Sequence, residues 1–184
     1  LAPGERARIM RRIGDLIRER ADVIGAVESA DTGKPLGQAT AEVALAADFF
    51  TYFATHAELP DGRTHPADAG YFVYSKREPY GVVGAISPWN YPLTLAVGDA
   101  IPALLAGNGV VLKPDLQTTL SALWLVDLLY EAGLPEGLFG VVAGEGGVVG
   151  PMITERGDFI MFTGSTGVGR QVAHVDGLAE FEVG

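Results

Sequence analysis

Apolar residues recur at helical spacing along the first third of the chain, then give way to short β-branched runs. Between Glu5 and Ala30, the residues Ile9, Ile13, Leu16, Ile17, Ile24 and Val27 fall on one stripe with arginines opposite, which predicts a long amphipathic helix. Asp31-Thr32-Gly33-Lys34-Pro35 reads as its stop, a Gly beyond the last turn followed by a Pro. A second helix is expected from about Ala39 to His56, carrying Val43, Leu45, Ala46, Phe49, Phe50 and Phe53. Leu59 to Gly70 is rich in Pro, Gly and Asp and reads as an exposed loop. Tyr71 to Lys76 alternates aromatic and β-branched residues, as a hairpin arm would.

From Gly81 the pattern changes. Val82–Ile86, Val110–Leu112, Phe139–Val142 and Phe159–Phe162 read as strands. Pro92–Ala106, Thr119–Ala132, Gly147–Thr154 and Ser165–Val175 read as the helices between and after them. Strict alternation of strand and helix implies an α/β fold with parallel strands and right-handed crossovers. The strand runs are apolar throughout, which is the pattern of strands covered on both faces. Ligands of such sheets bind beyond the carboxyl ends of the strands. The segments to inspect are therefore Ser87-Pro88-Trp89-Asn90, Lys113-Pro114-Asp115-Leu116, Ala143-Gly144-Glu145-Gly146 and Thr163-Gly164-Ser165-Thr166.

Each segment admits a chemical and a plain reading. Gly164 to Gly169 follows a strand and opens a helix, so its N–H groups suit a phosphate; Ser165 would otherwise be only an N-cap. Arg170-Gln171 stand where a nucleotide-triphosphatase loop needs Lys and Ser or Thr, which excludes that chemistry. Gly144-Glu145-Gly146 begins like a dinucleotide fingerprint, but Val149 takes the place of the third glycine, so a tight strand-to-helix turn is the alternative. Lys113 ends a buried strand and either snorkels to solvent or enters the ligand cleft, with Pro114 keeping the loop extended. Asn90, between Pro88 and Pro92, either stabilises a turn or donates to a developing oxyanion.

Composition narrows the function classes. Lys plus Arg number 13 and Asp plus Glu 23, giving a net charge of −10, which makes nucleic acid a poor partner. With no cysteine, the chain holds no disulfide, thiolate metal site or cysteine nucleophile. His56, His65 and His174 are scattered, so no metal is expected. The most apolar stretch, Leu93 to Leu112, is interrupted by Asp99, Pro102 and Asn108 and is not a membrane span. With no signal-peptide features the protein is expected to be cytoplasmic, and the start at Leu1 rather than Met predicts a piece of something longer.

Together these segments resemble the aldehyde dehydrogenase family. VVGAISPWNYPL at 82–93 resembles its proline-tryptophan-asparagine motif, and Phe162-Thr163-Gly164-Ser165-Thr166 its cofactor-loop motif. Asp31 to Pro35 with Glu42, Ala106-Gly107-Asn108 before Lys113-Pro114, and Ala132 to Gly137 occur in the family's order. The resemblance implies a Rossmann-like cofactor domain preceded by N-terminal helices, with residues 59–80 forming a loop and an oligomerisation arm in a homodimer or homotetramer. It implies that NADP or NAD is held by Ile86, Ser87, Trp89, Asn90, Lys113, Pro114, Asp115, Leu116, Gly144, Phe162, Gly164 and Ser165. Lys113 would reach the adenosine ribose, Gly144 the adenine, and Gly164-Ser165 the pyrophosphate. Asn90 would be the side-chain arm of an oxyanion hole for an aldehyde substrate, and Glu182 the general base.

This sequence departs from the family in two places. Members that prefer NAD carry an acidic residue three positions after the lysine; Leu116 stands there, which favours NADP, although Asp115 precedes it. Glu182-Val183-Gly184 resembles the start of the strand that carries the base, but it lies closer to Phe162 than the family has it. PWNYPLTL with KPDLQT looks most like bacterial succinate-semialdehyde dehydrogenases. The alternative reading is a module that binds dinucleotide without turnover.

Overall fold

The computed structural model describes residues 1–57, 62–175 and 179–183. Helices α1 (Pro3–Glu19), α2 (Ala21–Thr32) and α3 (Leu36–Ala54) come first, followed by a hairpin of β1 (Thr64–His65) and β2 (Val73–Tyr74). The rest runs β3 (Val82–Ile86), α4 (Pro92–Leu105), β4 (Gly109–Lys113), α5 (Leu120–Glu131), β5 (Phe139–Val141), α6 (Gly146–Thr154), β6 (Phe159–Gly164), α7 (Thr166–Val175) and β7 (Ala179–Val183). Strands β3 to β7 form a parallel five-stranded sheet in the order β5-β4-β3-β6-β7. The chain runs outward from β3 to β5 and returns to lay β6 on the other side of β3. The order reverses there, which in open α/β sheets opens a crevice at the carboxyl edge.

Alternation along the strands divides the core in two. Val83, Ala85, Val110, Leu112 and Phe139 face α4, α5 and the N-terminal helices, where Ile13, Leu16, Ile17, Phe50, Leu93, Ile101 and Leu125 are buried. Each such side chain, fully buried, contributes about 1.5–3 kcal/mol. Ile86, Ile160 and Phe162 face the other way, against Ile153 of α6 and Val172 of α7. Gly84 permits that second contact, because a Cβ there would meet Ile153 and would lie 2.9 Å from Ile160 Cδ1. Coverage of the second face is uneven: Gly140 and Val142, at and just after β5, are exposed, so this strand is not covered on both sides as expected.

Several sequence expectations are corrected. The single helix over 5–30 is two, because Arg20 leaves the helical region at φ −118°, ψ 15°. Its guanidinium donates to Glu131 at 2.6 Å, so the break lies where α1 and α2 meet the end of α5. The break also shifts the buried stripe: Val27 is only half-buried and Glu28 takes the inward position. Helix α3 starts directly after Pro35 rather than near Ala39, and Leu45 on it is exposed. The loop expected over 59–70 contains strand β1, paired antiparallel with β2; its residues 59–61 lie outside the described residues. Strand β7 joins the four strands read from the β-branched runs and begins at Ala179, ahead of the Glu182 start that the resemblance implied. Among the described residues, no helix is long and apolar enough to cross a membrane and no group of three or more His, Cys, Asp or Glu is arranged to hold a metal.

Candidate functional site

Backbone pairing sets three of the candidate residues abreast. Ile86 at the end of β3 pairs with Lys113 of β4 on one side and Phe162 of β6 on the other. Ser87 N–H donates to the Lys113 carbonyl at 3.1 Å, and Val142 N–H to the Leu112 carbonyl at 2.9 Å, so the loops after β3, β4 and β5 leave the sheet side by side. The Ser87–Asn90, Pro114–Leu116 and Gly144 segments and the Gly164-Ser165 turn thus share one edge, next to the β3/β6 crevice.

Lys113 does not snorkel. It is 6% exposed, and its Nζ donates to the Pro114 carbonyl at 2.9 Å, just beneath the edge. Asp115 is committed locally: its Oδ1 accepts from Gln117 N–H at 2.9 Å and caps the 3-10 turn Leu116–Thr118. Leu116, at 46% exposure, presents an apolar side chain at the position where a ribose reader would be acidic. Ser87 is buried, and its hydroxyl has no partner among the described residues.

Trp89 is 51% exposed and Asn90 is exposed beside it. Pro92 occupies the first turn of α4, where its fixed φ starts the helix and its missing N–H costs nothing. The Asn90 side-chain amide has no partner among the described residues, so its two donors are available to a ligand.

Two glycine turns and a helix start lie along this edge. Ser165 precedes α7, with Val168 N–H 3.4 Å from its Oγ, and the first N–H groups of that helix lack internal partners as those of every helix do. A Cβ on Gly164 would sit 2.7 Å from the Phe162 ring, and one on Gly144 would strike Val149. Internal packing thus demands glycine at both turns, and neither turn carries a side chain that would hold a ligand away from its main-chain N–H groups. Glu182 stands opposite Thr163 in the β6–β7 register, and its side chain lies outside the described set.

Sequence reading assigned no site role to Lys34, yet it touches this loop. Gly33, at φ 76°, ends α2 in the left-handed conformation and turns the chain toward α3. Lys34 Nζ then donates to Glu28 Oε1 at 3.0 Å, to Glu42 Oε2, and to the Asn90 carbonyl at 2.9 Å. Burial pushes the Glu28 carboxyl above its ordinary range, with Lys34 offsetting this only in part. Burial alone would lower the Lys34 ammonium; its hydrogen bonds to Glu42 and Glu28 outweigh that and hold it above its ordinary value. The available signal was two acidic residues standing inside apolar helix stripes.

The aldehyde dehydrogenase family model matches residues 1–181. Solved structures agree over the whole chain. An NAD-dependent aldehyde dehydrogenase from Sinorhizobium meliloti is 35% identical with a TM-score of 0.96, the chain covering 100% of itself and 38% of that structure. PnpE from Pseudomonas sp. WBC-3, in its complex with nicotinamide adenine dinucleotide, is 37% identical with a TM-score of 0.95 and is 39% covered by 100% of this chain. An NADP-dependent enzyme from E. coli is 38% identical with a TM-score of 0.96, again over 100% of this chain and 40% of its own length. The chain belongs to the aldehyde dehydrogenase family and has the fold of that family's N-terminal domain. It spans about two-fifths of the structures it matches.

Proposed function

We propose that this chain is the cofactor half of an NAD(P)-dependent aldehyde dehydrogenase, which converts an aldehyde to a carboxylic acid when joined to a catalytic domain. The observation that carries this reading is the alignment of Ile86, Lys113 and Phe162 at one sheet edge, with the bare Gly164 turn beside them. A bound dinucleotide would supply the hydride acceptor for oxidation of the aldehyde carbon. Lys113, whose ammonium rests on the Pro114 carbonyl, would hold the adenosine ribose. Gly164 and Ser165 present N–H groups to the pyrophosphate, Gly144 lies against the adenine, and Ile86, Ser87, Pro114 and Phe162 shape the channel beside Trp89. Asn90 donates to the substrate oxygen as it gains charge, Glu182 draws the proton from the attacking water, and a thiolate nucleophile comes from outside these residues. Removing the Lys113 charge should cost about 1.5–3 kcal/mol of dinucleotide binding. Calorimetry on the parent and Lys113→Ala tests this, and equal affinities would mean that Lys113 keeps its bond to Pro114.

NADP is the proposed preference. Leu116 neither accepts from ribose hydroxyls nor repels a 2′-phosphate, Lys113 supplies a cation nearby, and Asp115 is occupied by its cap on Gln117. The net charge of −10 opposes the extra phosphate, but screening over about 8 Å leaves the local lysine in control. Leu116→Glu should move the ratio of kcat/KM values toward NAD. A parent that already favours NAD by more than about tenfold, or 1.4 kcal/mol, contradicts this assignment.

Succinate semialdehyde is the proposed substrate, on the strength of the PWNYPLTL and KPDLQT segments. The hairpin arm carries exposed Tyr71, Phe72 and Tyr74, an apolar surface suited to a second copy in a homodimer or homotetramer. A cytoplasmic enzyme without nucleic-acid or membrane partners fits the acidic surface. The absence of cysteine favours a second reading, a module that binds dinucleotide without turnover. The length of the reading frame separates the two, because an enzyme's frame continues and encodes a cysteine.

A further inference from the structure

The turn between α2 and α3 holds three charged side chains away from water. Glu28 is fully buried, and side-chain exposure is only 10% for both Lys34 and Glu42. A buried ion cluster is weak evidence for stability, since apolar side chains of the same volume often serve as well. Its hydrogen bonding has a direction, however. An ammonium has three N–H donors. Two go to Glu28 and Glu42, and the third goes out to the Asn90 main-chain carbonyl at 2.9 Å. The Tyr91 ring centroid lies 4.8 Å from the same Nζ. Gln38 Nε2 donates to Glu42 Oε1 at 2.8 Å, and Thr94 Oγ1 to the Glu42 main-chain carbonyl at 3.3 Å, which ties the first turn of α4 to the same place.

We propose that Lys34 is a positioning residue that acts through Asn90, gripping its main-chain carbonyl so that its side-chain amide is held ready for the reacting oxygen. This rests on the reading of Asn90 as an oxyanion donor. Such a donor works by not having to reorganise. Asn90 is exposed and its side chain has no partner among the described residues, so the peptide behind it must supply the rigidity. Lys34 meets that need from a buried base: Glu28 and Glu42 fix the ammonium from one side and the Asn90 carbonyl takes the free donor. Because the carboxylates hold the ammonium protonated, the grip persists through neutral pH.

The test is a double-mutant cycle in the complete protein, with kcat at saturating cofactor and aldehyde, and the dinucleotide Kd, measured for parent, Lys34→Met, Asn90→Ala and the pair. Lys34→Met should lower kcat about tenfold or more, because small misplacements of a reacting group are costly. The dinucleotide Kd should stay at the parental value. Asn90→Ala should lower kcat further, and the pair should be no slower than Asn90→Ala alone, since Lys34 has nothing left to position. Losses that multiply in the pair, or a parental kcat in Lys34→Met, overturn the proposal while leaving Asn90 its role. A parental kcat in Asn90→Ala overturns the oxyanion reading, and the proposal falls with it. If Lys34→Met does not fold because two buried carboxylates lose their cation, Lys34→Met with Glu42→Gln replaces it throughout the cycle. That form removes one of the two buried carboxylates and still lacks the donor to Asn90.

Discussion

Asn90→Ala in the complete protein is expected to lower kcat by about 10²–10³-fold, the usual loss when one side-chain donor is taken from an oxyanion hole. The expectation follows from where the residue stands. Asn90 sits in the loop that leaves β3 at the edge shared with Lys113 and Phe162, and Pro92 then starts α4. Its side-chain amide has no partner among the described residues, whereas Asp115 and Lys113 at the same edge already have local partners. A donor that strengthens its bond only as the substrate oxygen gains charge acts on the rate and not on dinucleotide affinity. The dinucleotide Kd should therefore remain close to the parental value, as calorimetry can show, while steady-state turnover collapses. An unchanged kcat would mean that main-chain N–H groups alone hold the oxyanion and that Asn90 only shapes the turn.

The second large effect is complete loss. The 184-residue chain alone should give no dinucleotide reduction with succinate semialdehyde or any other aldehyde. Family chemistry begins with a thiolate adding to the carbonyl carbon, and no cysteine occurs in the sequence. A serine or threonine is no substitute without a base to activate it, and among the described residues no His takes part in the hydrogen bonds of Ser87 and Ser165. Following the nicotinamide absorbance with purified chain, either dinucleotide and a panel of aldehydes tests this. Turnover that tracks the protein through purification would show that another nucleophile is at work.

The parallel sheet was legible because its strands are short β-branched runs separated by helical stretches with clear turn residues. Placing the four loops on one edge needed no side-chain detail either, since parallel strands all end at the same edge. The helix break at Arg20 was invisible for a physical reason: no Gly or Pro marks it, and it depends on the tertiary contact of Arg20 with Glu131. The inward turn of Glu28 follows from that break, and so does the Lys34 cluster, whose partners are separated along the chain and meet only after α2, α3 and the β3 loop pack. Strand β1 was hidden in a Pro- and Gly-rich loop because two residues are too few to show a period. The position of Lys113 in the sequence allows both solvent and cleft, and only the fold shows it buried with its ammonium on the neighbouring carbonyl.

The central claim is that the carboxyl edge of the β3/β4/β6 sheet holds a nicotinamide dinucleotide. Calorimetric titration of the chain with NADP and with NAD, after circular dichroism has shown it to be folded, tests this most directly. Saturable binding at one site per chain is expected, with NADP at least as tight as NAD and with binding weakened by Lys113→Ala. A folded chain that takes up neither dinucleotide would contradict it.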